Sequence, residues 1–390
     1  MNILIYRYNS ICEPDVIAAL LELGHEVFCI ELEMEKKTPS PEEVISNVRD
    51  ALFARRFDAV FSINYYPVLS SVCDIFKIRY ICLTVDSPVV ELYSDTIASP
   101  WNRIFLFDRL QYQTFHPKNP TRIFHAPLAV NLSRIGDFFS SCTDTPQICP
   151  ASQIAFVGSL YTEKCPFDSF RSTNAYINGY LDGIMAAQSK IYGSFFIPDL
   201  LSDDLVSEFV SSVSDFYIPP ELATRDDRMV MALMYLGPKI TAMERVRLLT
   251  LLGSHYPVDI YTNSNTAGLP VNDCGCANTH TEMPLIFRNS AINLNITAKS
   301  IRSGVPLRVF DVLGCGGFLI SNYQAELEEC FVIGEDLVIY TDEDDLLNKI
   351  EYYLAHEKER ADIAANGFEK VSRCHSFLQR MKQILDLAFS

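Results

Sequence analysis

The chain has 390 residues, 48% hydrophobic and 21% charged, a composition that excludes wholesale disorder and predicts two folded domains rather than one. Its formal net charge of −17 excludes a non-specific grip on nucleic acid, whose phosphates demand clustered Lys and Arg, yet leaves room for a local basic pocket. No run reaches the roughly 18 apolar residues of a membrane span.

The opening Met-Asn-Ile-Leu-Ile-Tyr-Arg-Tyr lacks the basic and apolar regions of a signal peptide. The twelve cysteines are scattered, mostly in apolar segments (Cys29, Cys82, Cys315), as reduced thiols would be. A cytoplasmic location is expected.

In chain order, residues 2–6 read as a strand, 13–24 as an amphipathic helix closed by Gly24, and 27–32 as a second strand. A helix near 42–55, a strand at 58–63, a helix near 68–76 and a strand at 80–85 follow. Short strands at 103–107 and 122–125 flank a helix near 109–116. This alternation predicts a doubly wound parallel sheet, a Rossmann-like domain over residues 1–135. Residues 136–152 carry Ser, Thr, Pro and Asp without a period and read as a linker.

A second domain, 153–375, opens with the strand 154–158 and carries a helical insertion at about 165–235. A helix at 239–252, a strand at 258–261 and a short helix at 284–289 lead to the stretch 292–320. Beyond it lie a strand at 337–340 and helices at 344–355 and 358–373. The last helix, 377–389, bears an apolar stripe, and segment 376–390 is expected to pack back on the first domain. The first strand is not followed by Gly-x-Gly-x-x-Gly, which argues against a dinucleotide.

Stretch 292–320 reads as a buried strand, a polar loop, a helix from about Val305, a Gly-Cys-Gly-Gly break and a second buried strand. Ligands of parallel α/β sheets sit at strand C-terminal ends, against helix N-termini. Lys299, Arg302 and Arg308, with Ser303 and Gly304, therefore form a candidate site for the diphosphate of a sugar nucleotide. Asp311, one turn into the helix, is a candidate ribose ligand or a partner for Arg308. Thr262 and Asn263 end a strand where a base could be met, or simply turn the chain. Asn293 and Asn295 share one face of their strand, to bond a ligand or to satisfy backbone beneath the loop.

In the first domain, Asp86 ends a strand before Ser-Pro. It is a candidate general base toward an acceptor hydroxyl, or an Asx-type turn residue. Asn64, Tyr65 and Tyr66 suit sugar hydroxyls by bonding and stacking. Asp108 and His125 are lesser alternatives. Asp273-Cys-Gly-Cys276 with His280 offers too few ligands at a non-standard spacing, so no metal site is expected.

Several motifs carry a family resemblance. Val60-Phe-Ser-Ile-Asn-Tyr-Tyr-Pro, Tyr80-Ile-Cys-Leu-Thr-Val-Asp-Ser-Pro, Asn102-Arg-Ile-Phe-Leu-Phe-Asp-Arg and His125-Ala-Pro-Leu-Ala resemble the CgeB-like (spore-maturation-type) glycosyltransferases. So do Phe156-Val-Gly-Ser-Leu-Tyr, Thr241-Ala-Met-Glu-Arg and Ser303-Gly-Val-Pro-Leu-Arg-Val-Phe-Asp-Val-Leu-Gly-Cys-Gly-Gly-Phe-Leu. The resemblance implies a GT-B fold: two Rossmann-like domains facing across a cleft, the nucleotide sugar on the second and a glycan or protein acceptor on the first. It implies no cofactor and no obligate metal.

In the wider group resembling glycogen synthase and sucrose synthase, two glutamates have seven residues between them; by that spacing Asp311 occupies the second position and Ser303 the first. The pattern Val-Gly-Arg-Leu-x-x-x-Lys is similar to Val157-Gly-Ser-Leu-Tyr-Thr-Glu-Lys164, with Ser159 in place of Arg. Both departures leave inverting and retaining transfer open. Two other readings stand beside transfer: a GT-B nucleotide-sugar epimerase, and a non-catalytic nucleotide-sugar-binding partner of another transferase. The helices near 165–235 are candidates for selecting the acceptor or forming a homo-oligomer surface.

Overall fold

The computed structural model describes residues 1–142, 152–170, 174–213, 216 and 226–390. These fall into two compact units, Met1–Asn131 with Cys374–Ser390, and the described residues from Leu132 to Arg373.

Unit 1 is built on six parallel strands: β1 (Asn2–Tyr6), β2 (Glu26–Ile30), β3 (Ala59–Ile63), β4 (Arg79–Leu83), β5 (Asn102–Leu106) and β6 (Ile123–His125). Their order is β2-β1-β3-β4-β5-β6. Strands covered by helices on both faces must be apolar throughout, and every residue of β3 and β5 is buried, whereas edge strand β2 is half-exposed. Local chemistry fixes the helices between them. Helix Pro41–Ala54 starts with a Ser40/Glu43 capping box. Helix Arg109–Phe115 starts at Asp108, whose carboxylate accepts the Leu110 and Gln111 amides. The final helix, Phe377–Phe389, belongs to this unit; its Ala388 carbonyl accepts from Arg103 Nε at 3.0 Å.

Unit 2 holds β7 (Ile154–Val157), β8 (Val258–Tyr261), β9 (Asn272–Asp273), β10 (Ile292–Asn295), β11 (Leu319–Asn322) and β12 (Val338–Tyr340). The parallel order is β12-β11-β10-β7-β8-β9, so the chain steps outward from β7 to β9 and then returns to β7's other side with β10. Between β7 and β8 lie the insertion helices Ala175–Gln188, Ile197–Leu200, Asp203–Ser212 and Asp227–Val230. They share an aromatic core in which Phe209 packs on Phe170 (4.6 Å between centroids) and on Tyr235 (5.2 Å).

Three boundaries differ from the sequence reading. Residues 136–141, read as linker, finish the helix Leu132–Ser141; 143–151 lie outside the described residues. The helix expected from Lys239 runs back through a π-helical turn, Met231–Leu236, into Gly237–Gly253, because Gly237-Pro238 at its start does not stop it. The helix expected from Val305 begins at Leu307, since Pro306 is extended (ψ 156°). The Gly-Cys-Gly-Gly break has a steric cause. Gly316 turns left-handed (φ 75°), and a Cβ on Gly317 would stand 2.4 Å from the Phe287 carbonyl oxygen.

Candidate functional site

In unit 2 the chain reverses its direction of travel across the sheet between β7 and β10, the place where open α/β sheets gather ligands. Two loops leave the sheet there: Gly158–Tyr161 after β7 and Ile296–Pro306 after β10. Helix Gly237–Gly253 braces both with Thr241, Glu244 and Arg245, side chains at i, i+3 and i+4 and so on one face. Thr241 Oγ1 accepts the Lys299 amide at 2.9 Å and donates to the Gly237 carbonyl at 2.8 Å. Glu244, wholly buried, pairs with Lys299 Nζ at 3.1 Å. Arg245 donates Nε to the Ile296 carbonyl at 3.2 Å and its terminal nitrogens to the Ile296 and Ser159 carbonyls.

Arg245 therefore ties together both sides of the reversal point. Its charge is held among carbonyls and rings, 4.9 Å from the Tyr161 centroid and 5.5 Å from that of Phe156. No carboxylate forms an ion pair with it among the described residues. Burial pulls its pKa down. The Lys299–Glu244 pair is under the same stress. Burial lowers the Lys299 pKa against the pull of Glu244, and raises that of Glu244 against the pull of Lys299.

A small recess opens beside this frame, lined by Lys299 and Arg302 from the loop, Asn322 at the end of β11, Gln324 just past it, and segment 191–195 of the insertion. Gly193 lets that segment lie close. It is left-handed (φ 72°), and a Cβ there would stand 2.5 Å from the Tyr323 ring.

Of the residues expected to bind a diphosphate, the structure brings Lys299 and Arg302 to one recess. The Lys299 ammonium pairs with Glu244 and donates to the Ile191 carbonyl at 3.1 Å, contacts that hold the loop. Arg302 is half-buried. Arg308 lies in the first turn of its helix, 3.4 Å from Asp311 Oδ2 and 3.4 Å from Met283 Sδ. Asp311 thus stands within ion-pair distance of Arg308.

Ser303 is buried and donates to Glu326 Oε1 at 2.8 Å; Gly304 is buried beside it. A carboxylate thus stands next to position 303 although the sequence has none there. Asn295 is buried and donates to Thr297 Oγ1 and Ser321 Oγ beneath the loop. Asn293 likewise donates to the Phe287 and Phe318 carbonyls. Thr262 accepts the Ser264 amide at 3.0 Å and turns the chain, leaving Asn263 exposed. Lys164 is exposed, with Nζ 5.7 Å from the Tyr161 centroid. Asp273 accepts from Thr266 Oγ1 and the Gly275 amide, an ordinary turn.

In unit 1 the order reverses between β1 and β3, and a second constellation sits at their C-terminal ends. Asp86, exposed past the end of β4, accepts Asn64 Nδ2 at 2.7 Å. The same amide group donates to Tyr8 OH at 3.0 Å, and Asn64 Oδ1 accepts the Val85 amide at 3.0 Å. Asn64 is thus occupied on both ends and fixes Asp86, rather than meeting an acceptor itself. Tyr65 is corrected outright. It is 2% exposed, its hydroxyl lies 2.8 Å from Thr96 Oγ1, and burial pushes its pKa up to about 12. Asn64 is left-handed (φ 57°), and that turn breaks the strand alternation and sends Tyr65 inward.

Tyr66 stays half-buried on the rim, donating to Glu33 Oε2 at 3.2 Å, while Tyr6 donates to Glu33 Oε1 at 2.9 Å. Burial raises the Glu33 pKa, against the two phenol hydrogen bonds. Asp108 is a buried helix cap that also accepts Ser87 Oγ, and His125 Nε2 is 3.2 Å from the Phe107 carbonyl; both are structural.

Sequence reasoning missed Glu244, Arg245, Glu326, Glu33 and Tyr8. A signal existed for the first two. Thr241, Glu244 and Arg245 put a polar stripe on one face of a helix whose Ile240, Leu248, Leu249 and Leu252 are core.

Two six-stranded parallel sheets in these orders match GT-B glycosyltransferase structures. A glycosyltransferase from Rickettsia africae superposes with a TM-score of 0.53 at 11% identity, over 99% of this chain and 97% of that one. Sucrose-phosphate synthase from Thermosynechococcus elongatus gives 0.53 at 12%, over 99% and 98%. HepE from Anabaena, in complex with UDP, gives 0.53 at 10%, over 99% of each chain. At such identities the likeness shows the fold alone. Within the chain, residues 241–386 match a sequence family described as glycosyl transferase-like. No curated protein matches the chain significantly in sequence.

Proposed function

We propose that the protein is a glycosyltransferase that moves a sugar from a nucleoside-diphosphate donor to a hydroxyl acceptor on a glycan or protein. The observation that carries this reading is the β7/β10 reversal point. There a buried Arg245, whose hydrogen-bond partners among the described residues are carbonyls, and Arg302 beside the recess set two guanidinium groups where a ligand's phosphates would lie. The match of residues 241–386, which span both arginines, supports it. The narrower CgeB-like assignment rests on the motifs quoted above.

In this reading the leaving diphosphate is neutralised by side-chain cations and loop amides rather than by an obligate metal. Arg302 is the direct contact and Arg245 supplies field from below. Lys299 and Arg308, each neutralised by an acid, shape the loop and the helix start. Asp86, pre-aligned by Asn64, takes the proton of the acceptor hydroxyl if the transfer inverts. Tyr66, Tyr8 and Glu33 offer ring faces and hydrogen bonds to a sugar-like acceptor. Another Anabaena HepE structure is a complex with UDP-glucose, so a UDP-sugar is the first donor to test.

A nucleotide that binds the folded chain raises its melting temperature. We expect UDP-sugars, screened beside GDP-, dTDP- and CMP-sugars, to give such a shift, and Arg302→Ala to remove most of it. No shift with any nucleotide on a folded sample would overturn the donor site. Turnover of donor without acceptor, yielding an epimer, would favour the epimerase reading instead.

A further inference from the structure

At the opposite edge of the unit 1 sheet, where β3 and β4 begin, an open cavity of about 400 Å³ lies between the ends of helices Pro41–Ala54 and Pro67–Phe76. Four cations line it, Arg55, Arg56, Lys77 and Arg79, with one acid, Asp58; Arg55 also lies 3.5 Å from Glu26 and Lys77 3.5 Å from Asp74, both pairs exposed to solvent. Asp58 is already engaged, accepting the Asn2 amide at 2.7 Å. Two of the cations are set on rings: Arg55 lies 4.0 Å from the Phe28 centroid and Arg79 4.6 Å from that of Phe389. Lys77 holds its place at a left-handed φ of 55°, a position where glycine would be the unstrained choice. For a chain of net charge −17, this is a concentrated basic surface.

Large apolar side chains flank the same surface. Phe53 and Ile75, one near the end of each helix, are both 74% exposed. Phe53 is held edge-on against Phe76 at 5.4 Å, so the two helix ends present their apolar residues together. Ile45, one helical stripe back from Phe53 through Arg49, is 41% exposed.

We propose that this face docks on an anionic lipid bilayer. Cations alone would suit any polyanion, but a soluble polyanion gives no reason to hold Phe53 and Ile75 in water. A bilayer interface takes both, the phosphates at the arginines and the apolar tips among the acyl chains. Each basic residue near such a surface contributes about 1 kcal/mol, and two of the four here, Arg56 and Arg79, have no acid in ion-pair distance among the described residues. The acidic remainder of the chain does not forbid approach, because charges beyond about 8 Å are screened at physiological salt. The face is formed by strand N-terminal ends, so docking leaves the C-terminal ends that carry Asp86, Asn64 and Tyr66 uncovered. This inference stands independently of the proposed transfer.

The test is sedimentation of the purified full chain with vesicles of phosphatidylcholine alone or mixed equally with phosphatidylglycerol. Binding to the mixed vesicles, lost on adding salt, is expected, with little on the neutral ones. Arg55→Glu with Arg56→Glu should abolish it, and Phe53→Ser with Ile75→Ser should weaken it about tenfold or more, the interfacial burial of two large side chains. Both pairs should keep the parent's melting temperature, which separates lost docking from lost folding. Equal binding to both vesicles, no binding, or variants that bind like the parent would overturn the proposal. So would a parent dimer that Phe53→Ser and Ile75→Ser dissociate, since a second copy would then cover the face.

Discussion

The two sheets share a construction and differ in what they place at the point where their strand order reverses. In unit 2 the reversal point is cationic and rich in backbone: Arg245 bridges two loop carbonyls, and the loop carrying Arg302 is tied down at Thr241 and Glu244. In unit 1 the equivalent point carries acids and phenols, with Asp86, Glu33, Tyr8 and Tyr66 in one connected set. Arg7, the cation nearest that set in sequence, is paired with Glu13 and Glu31. The same α/β geometry thus carries cations and backbone at one reversal point and acids with phenols at the other. The side chains at the strand ends decide which.

The sharpest way to break this comparison is to disable one unit and leave the other intact. Asp86→Asn preserves shape and removes a base. If transfer inverts through Asp86, turnover should fall by about 10²- to 10⁴-fold, the range for a positioned proton acceptor. The nucleotide-induced melting shift, which reads unit 2, should persist. Unchanged turnover would strip Asp86 of its role while leaving the donor surface standing.

Unit 2 is tested through its buried pair. Lys299→Met leaves the Glu244 carboxylate buried without its cation, and stability measured by urea unfolding should drop by about 3–5 kcal/mol. Adding Glu244→Gln should recover most of that loss, because no buried charge is then left alone. If the single substitution costs no more than a surface change, the pair does not hold the loop. If the double variant folds and still binds nucleotide, Lys299 is confirmed as an anchor and not a ligand contact.

These two experiments also mark where the sequence could be read and where it could not. The strands were legible because helices cover them on both faces, so β3, β5, β7 and β10 are unbroken buried runs. The loop at 296–306 was legible as a strand end running into a helix start, but the use of the cations there was not, since Lys299 and Arg308 each pair with an acid. Which acid neutralises which cation was not legible. Glu244 and Lys299 belong to different elements and meet only once the helix is laid against the sheet. Glu326 reaches Ser303 in the same way, filling in space a carboxylate position empty in sequence. Tyr65 and Tyr66 are indistinguishable as letters, and the left-handed Asn64 alone decides that the first faces the core.

The smallest effect sharpens the chemistry of unit 1. Glu33 sits between two phenols, and burial lifts its pKa above the usual 4.5 despite the hydrogen bonds that oppose the shift. A carboxyl whose pKa is raised on folding binds its proton more tightly in the native state. Its contribution to stability is complete below pH 4.5 and is lost as the pH rises through the folded value. Glu33→Gln removes that titration while keeping a group able to accept from Tyr6 or Tyr66. The difference in melting temperature between parent and variant should therefore move in the parent's disfavour as the pH climbs above 4.5, and level off beyond. A difference that moves the other way would mean the carboxylate, not the acid, is what the two phenols stabilise. The unit 1 constellation would then carry a full negative charge, the reverse in sign of the cationic loop in unit 2.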